Sequence, residues 1–382
     1  MHIRLYPYVL LLMSGLYLST GCKKPFMPPA ISAPTHFLVV DGFINAGAGG
    51  VTTILLSRTR SLVDTLPNIP ETHAQVSIED QAGGSFPLQE QGTNGTYLSQ
   101  PLQLNPSGQY RLAITTADGS SYQSDFVNCK LTPPIDSVTW QQPGDLTISV
   151  STHDPANSTH YYRWDYKETW EYHAQLETPW GLKNGIIFAT DSTNQTYKCW
   201  STVGSSNILL GSSSSLSQDV IYELPIEVIP QNDERLAVRY SMLLEQYALT
   251  LDAYNYWQTV QKNSQQLGTL FDLQPSQVTG NIHALSGSGQ PVIGYVSASS
   301  VQQQRIFIYE TQLTGWLANP SGGYGCPLSQ TPVDPNNFTI FTDTDPNDAP
   351  YYFITGGPLV VSKKPCLDCT YNGGTNIKPS FW

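Results

Sequence analysis

The sequence predicts a mainly β protein: an immunoglobulin-like sandwich first, then a larger β-rich domain with one prominent α-helix. Three observations predict it. Gly, Pro, Ser, Thr and Asn are abundant and evenly spread, with 30 Gly and 28 Pro in 382 residues, which is the punctuation of many short strands and tight turns. The segment Tyr161 to Tyr172 alternates at period two. One stretch, near 250–267, carries apolar and aromatic residues at helical spacing.

Composition sets the outer limits. Hydrophobic residues make up 40% and aromatic residues 11% of the chain, enough for a folded core and contrary to the signature of disorder. The length allows one to three domains. Charged residues are sparse at 13%, and the formal net charge is −12, one unit more negative without Arg4. An acidic chain with no Lys/Arg cluster lacks the footprint of a nucleic-acid binder.

Taken in order, residues 1–21 read as a signal peptide. Arg4 precedes a mostly apolar run from Leu5 to Leu18, and small residues follow up to Gly21, the layout of a secretory leader. The run is about 14 residues, short of the roughly 20 that a membrane-spanning helix needs. The ending Leu18-Ser19-Thr20-Gly21-Cys22 resembles the bacterial lipobox, with Ser19 where Leu is usual. Cys22 is therefore the expected lipidation site, with acyl chains anchoring the protein to a membrane. Residues 22–34 form the expected leash, with four prolines between Lys23 and Pro34 favouring extended chain.

Residues 35–132 supply the expected sandwich. Phe37 to Ile44 reads as a strand, Gly47 to Gly50 as a turn and Val51 to Ser57 as the returning strand. Ala74 to Glu79 places Val76 and Ile78 on one face, and Gly83-Gly84 turns the chain. Tyr97-Leu98, Tyr110 to Thr115 and Tyr122 to Val127 add further short strands, a spacing that suits an immunoglobulin-like fold. Pro133-Pro134 marks the boundary.

Residues 133–382 form the expected second domain. In its longest strand Tyr162, Trp164, Tyr166, Trp170 and Tyr172 share one face, with Arg163, Asp165, Lys167, Thr169 and Glu171 on the other. Glu168 falls on the aromatic face, where a carboxylate needs a partner or a raised pKa. It reads either as half of a structural ion pair, with Arg239 as the candidate partner, or as the polar handle of a ligand pocket formed with Trp164 and Trp170. In the helix Thr250 is the candidate cap. Leu251, Tyr254, Trp257, Gln258 and Gln261 keep the period, and Gly268 suits the end. Val292 to Ser297 and Arg305 to Tyr309 read as strands, and Gly322 to Trp382 as a loop-rich, cysteine-stapled tail.

Five cysteines follow Cys22. In an oxidising compartment the simplest reading is two disulfides drawn from Cys199, Cys326, Cys366 and Cys369, with one odd thiol. Cys366-Leu367-Asp368-Cys369 also has zinc-knuckle spacing, for which Cys199 and Cys326 are the remaining candidate ligands.

Signatures of catalysis are absent from the sequence: no His-Glu-x-x-His, no phosphate-binding Gly-x-x-x-x-Gly-Lys-Ser/Thr and no Gly-x-Ser-x-Gly. His153-Asp154 precedes Pro155 and reads as a turn. Asp343, Asp345 and Asp348 cluster in one loop, but an EF-hand count would put Asp348 where Gly is required and Ile354 where Glu is required. No cofactor or metal is implied.

A set of separate strings carries a resemblance. They include Val40-Asp41-Gly42-Phe43-Ile44-Asn45, Pro133-Pro134-Ile135-Asp136-Ser137-Val138 and Tyr161-Tyr162-Arg163-Trp164. Glu168-Thr169-Trp170-Glu171-Tyr172, Tyr197-Lys198-Cys199-Trp200, Arg239-Tyr240-Ser241 and Gln246-Tyr247-Ala248-Leu249 continue the series. Gly280-Asn281-Ile282-His283, Gly294-Tyr295-Val296-Ser297-Ala298 and Cys366-Leu367-Asp368-Cys369 complete it. Together they resemble the Bacteroidota lipoprotein family called domain of unknown function 4249, from about residue 37 to 382.

The resemblance implies no activity or catalytic residue. Its members are often encoded beside TonB-dependent transporters. It therefore implies an outer-membrane-anchored, non-enzymatic accessory of such a transporter, taking a small-molecule, glycan or peptide ligand. The alternatives are a structural or adhesive envelope protein, and a hydrolase with an unrecognised site around Glu168, His283 or the acidic loop. Surface-exported lipoproteins of that phylum often carry acids soon after the lipidated Cys. Here Lys23 and Lys24 follow and the first acid is Asp41, so both the periplasmic face and the cell surface stay open.

Overall fold

The computed structural model describes residues 36–60, 69–265, 278–285, 291–319, 325–334 and 336–382. Cys22, its leash and Gly268 lie outside these residues. The chain is mainly β, as its composition predicts.

The N-terminal part is an eleven-stranded sheet. The strands Leu38–Asn45, Thr53–Arg58, Thr96–Ser99, Ser85–Gln91, Gln75–Asp80 and Gln109–Thr115 pair antiparallel in that spatial order. Period-two alternation puts Val76 and Ile78, Leu112 and Ile114, and Ile54 and Leu56 inside. Gly42 has φ +135°, and a Cβ there would meet the Thr53 carbonyl oxygen at 2.4 Å, so the first hairpin needs glycine at that position.

This unit differs from the immunoglobulin-like sandwich expected over 35–132 in two ways. First, it closes. Ala298–Ser299 pairs in parallel with both Leu38–Asn45 and Val127–Lys130, and Val127–Lys130 pairs with Gln109–Thr115. Second, it is not contiguous. Ile282–Ala284 adds to the strand Ser121–Ser124, and Ile282, Val292, Val296 and Ala298 belong to the same core. Residues 282–284 and 292–298 add apolar side chains to a core otherwise drawn from residues 38–127. The strand expected at Val292–Ser297 is instead an extended run beside Leu38–Asn45. It is held by Val40 N–H to Ile293 O at 2.8 Å and Ile44 N–H to Ser297 O at 2.8 Å. Gly294, at φ +137° and pressed on the Val40 carbonyl, interrupts the ladder.

The second unit is a two-sheet sandwich. One sheet holds Ile135–Gln141, Leu146–His153 and Val220–Ile229. The other is built on Tyr161–His173, flanked by Arg239–Ala248 then Val301–Tyr309 on one edge and by Lys198–Gly204 and Leu209–Ser212 on the other. Their facing side chains form one core, Leu146, Ile148 and Val150 against Tyr162, Trp164, Tyr240, Met242 and Leu244. The aromatic face of the long strand thus turns inward, as its period predicts.

The helix is Leu251–Gln265. Thr250 caps it: its Oγ1 accepts from Ala253 N–H at 3.2 Å. Its aromatic residues are packing residues. Tyr254 lies on Tyr161 and Tyr256 on Tyr295, and Trp257 covers the Arg163 guanidinium at 3.9 Å.

The tail contains more regular structure than expected. Leu359–Lys363 is the middle of a three-stranded sheet with Leu328–Thr331 and Asp348–Phe353. The hairpin Trp180–Lys183 with Ile186–Ala189 packs Ile187 against Leu359 and Val361. The four cysteines pair as Cys199–Cys369 and Cys326–Cys366. That separates the two halves of the CxxC and ends the zinc reading. Cys129 is a free, half-buried thiol whose pKa burial pushes up, which makes it a poor nucleophile.

Candidate functional site

The three residues expected around a ligand pocket separate in the structure. Trp164 is wholly buried in the sandwich core, donates its indole N–H to Gln246 Oε1 at 2.8 Å, and lies over Gly211, where a Cβ would come within 2.8 Å of its ring. Its role is packing. Glu168 and Trp170 do line a hollow, of about 710 Å³, together with Asn232, Asp233, Glu234, Arg235 and Asn319.

Glu168 is paired, but with Arg235 and not Arg239. Arg235 Nη1 reaches both Glu168 oxygens at 2.9 and 3.1 Å, and Tyr240 donates its hydroxyl at 3.0 Å. The same guanidinium holds Glu227 at 3.2 Å and Asp233 at 3.1 Å. Strand parity explains the correction: Tyr240, Met242 and Leu244 point inward, so Arg239 faces out beside Glu171. Burial pushes the Glu168 carboxyl above its ordinary value, and Arg235 and the Tyr240 hydroxyl pull against that shift. This is a structural network of one cation and three acids.

The outward face of the same strand carries the larger site. A hollow of about 1070 Å³ is bounded by Glu171, Tyr197, Lys198, Trp200, Arg239 and Trp382, with Gln195, Asn376 and Lys378 at its rim. Arg239 is held among three rings, with its guanidinium carbon 4.4 Å from the Phe307 centroid, 4.7 Å from Trp382 and 5.1 Å from Tyr309. Two donors in the wall, Arg239 Nε and Trp200 Nε1, are sealed from solvent and have no hydrogen-bond partner among the described residues.

The wall is braced. Glu171 accepts from the Trp382 indole N–H at 3.1 Å and contacts His173 Nε2 at 2.9 Å. Burial pushes the Glu171 carboxyl up, but the His173 and Trp382 contacts outweigh it and hold it below its ordinary value. The disulfide Cys199–Cys369 sits beside Trp200. Trp200 and Thr375 exchange both backbone hydrogen bonds, at 2.8 and 3.0 Å. The Tyr172 hydroxyl accepts from Gly374 N–H at 2.8 Å and donates to Cys369 O at 3.0 Å. Residues 373–382 are thereby fixed to the sandwich as one side of the hollow.

The other expected positions are structural or scattered. Asp154 closes its turn by accepting from the N–H groups of Ala156, Ser158 and Thr159, and these bonds overcome burial to lower its pKa to about 2. His153 pairs instead with Asp136 at 2.7 Å. His283 meets Asp125 at 3.1 Å on the surface, far in sequence from Glu168. Asp345 and Asp348 share Lys363, at 2.6 and 2.7 Å. Among the described residues no group of three or more His, Cys, Asp or Glu is placed to hold a metal ion.

Sequence reasoning did not find the hollow of Trp200, Arg239 and Trp382. These side chains come from three separate segments, two strands and the chain's last turn, and only the tertiary fold brings them together.

The model of the family described as Domain of unknown function (DUF4249) matches residues 23–305. The matched span holds the closed sheet, most of the sandwich, and Glu171, Trp200 and Arg239, while Lys378 and Trp382 lie beyond it. No curated protein matches the chain. With most of its length matched, the chain belongs to the DUF4249 family.

Proposed function

We propose that this protein is lipidated at Cys22 and anchored in the outer membrane, where it captures or presents a ligand for a TonB-dependent transporter without transforming it. The anchor reading rests on Leu18-Ser19-Thr20-Gly21-Cys22 behind an apolar run, and two disulfides suit an oxidising compartment. The observation that carries the binding reading is the braced hollow in which Arg239 stands among aromatic rings with no carboxylate of the described residues in ion-pair contact. A wide concave site with a few fixed polar groups among aromatic side chains is what small-ligand binding requires.

The test is a deletion strain grown on a panel of single nutrients. Growth should fail on one nutrient class while the envelope stays intact, and the wild-type gene should restore it where Cys22→Ser does not. Normal growth across the panel together with a leaky envelope would contradict the reading and favour a structural role.

A further inference from the structure

We infer that the hollow between Trp200, Arg239 and Trp382 is a site for an acidic saccharide, a short oligosaccharide of uronic acids. The inference rests on the reading of the chain as a ligand-binding protein and names the ligand class. Charge supports the acid. Of the three carboxylates lining the hollow, Glu171 is engaged by His173 and Trp382, and Asp191 by the N–H and hydroxyl of Thr193 in its own turn. Among the described residues, Lys198, Arg239 and Lys378 have no carboxylate in ion-pair contact, which leaves three cations against Glu177.

The two sealed donors add to this. An N–H that no acceptor meets presents its positive end unquenched, so Arg239 Nε and Trp200 Nε1 leave the wall electropositive. Arg239 is also pre-ordered. Aromatic rings cover its faces, and a guanidinium reads a carboxylate with its edge, by two parallel N–H bonds.

The rest of the lining favours a sugar over a peptide. Thr178 and Gln195 are engaged by neighbouring backbone, while Thr190, Ser192 and Asn376 supply hydroxyl and amide groups. These both donate and accept, as each sugar hydroxyl also does. Tyr197 and Trp382 supply flat apolar surface for the C–H face of a pyranose ring.

The test is calorimetric titration of the full-length lipidated protein, in non-ionic detergent, with oligouronates of differing ring configuration and their carboxyl-reduced, neutral counterparts. At least one oligouronate should bind, and its neutral counterpart should bind at least about tenfold more weakly, as should the same oligouronate to Arg239→Gln, since charged hydrogen bonds carry that much discrimination. Lys378→Gln, at the exposed rim, should weaken binding about threefold and guards against misfolding of the Arg239 variant. No binding by any oligouronate, equal binding of the neutral sugars, or equally tight binding of tri-glutamate would each overturn the assignment. Failure here leaves the growth experiment untouched, so the two readings fall separately.

Discussion

Glu168 and Glu171 lie on one strand, three residues apart, yet opposite balances govern them. Glu168 faces the core side, where burial dominates and raises its pKa. Glu171 faces out, where contacts with His173 and Trp382 dominate and lower it. Their effects on stability therefore run in opposite directions with pH. Glu171 contributes stability that is complete above its ordinary value of about 4.5 and is lost as pH falls through its lower native value. Glu168 binds its proton more tightly in the folded state, so its contribution declines as pH rises from about 4.5 through its native value.

The same balance ranks substitutions. Arg235→Met leaves Glu168, Glu227 and Asp233 without their shared cation and should cost about 3–5 kcal/mol. Glu168→Gln keeps an acceptor for Tyr240 and removes a buried charge, so it should cost under about 1 kcal/mol. Urea unfolding at pH 7 measures both; equal losses would show that the ion pair, not its desolvation, sets the balance. The sequence exposed the problem at Glu168, because a carboxylate on an aromatic face is legible at period two. It hid the solution, since Arg235 sits in a turn whose position relative to the strand depends on the tertiary fold.

At the scale of elements, local signals are legible in this sequence and long-range pairings are not. The strand Tyr161–His173 announces itself by alternation and the helix by Thr250 and its spacing. Leu359-Val360-Val361 carries a short branched run that signals a strand, but it is surrounded by turn residues and the tail reads as coil. The closing strands of the first sheet were not legible. Ala298–Ser299 is a two-residue strand whose partners lie more than 150 residues earlier, and no local pattern encodes such a pairing.

The tail of the hollow depends on the Cys199–Cys369 link, which closes a separation of 170 residues. Paired replacement of Cys199 and Cys369 by Ser should cost about 2–5 kcal/mol and speed hydrogen exchange at the Trp200 and Thr375 amides. Unchanged exchange there would show that the tail holds its place by packing alone.

At the scale of the whole molecule, the chain passes between its two units at residues 132–133, 248 and 300, and these passages are fastened together. Thr132 N–H donates to Ser300 Oγ at 2.9 Å, its hydroxyl donates to Ser300 O, and Ala248 N–H donates to Thr132 Oγ1 at 3.0 Å. Gln246 Nε2 donates to Pro133 O at 2.9 Å, while its Oε1 takes the Trp164 indole N–H. In the sequence, Pro133-Pro134 reads as a composition break. The return of residues 282–284 and 292–299 to the first unit is not legible, because it serves a core built mostly from residues before 132. The resulting body offers one braced hollow on its outer sheet face and, in the proposed account, a lipid leash at the other end of the sequence.

The most direct test of that account is affinity purification of the intact, lipidated protein from its own membranes after gentle crosslinking, read by mass spectrometry. The account predicts one TonB-dependent transporter recovered in near-equal amount, and its loss when Cys22→Ser releases the protein from the membrane. A solitary, fully lipidated monomer after the same crosslinking would contradict it.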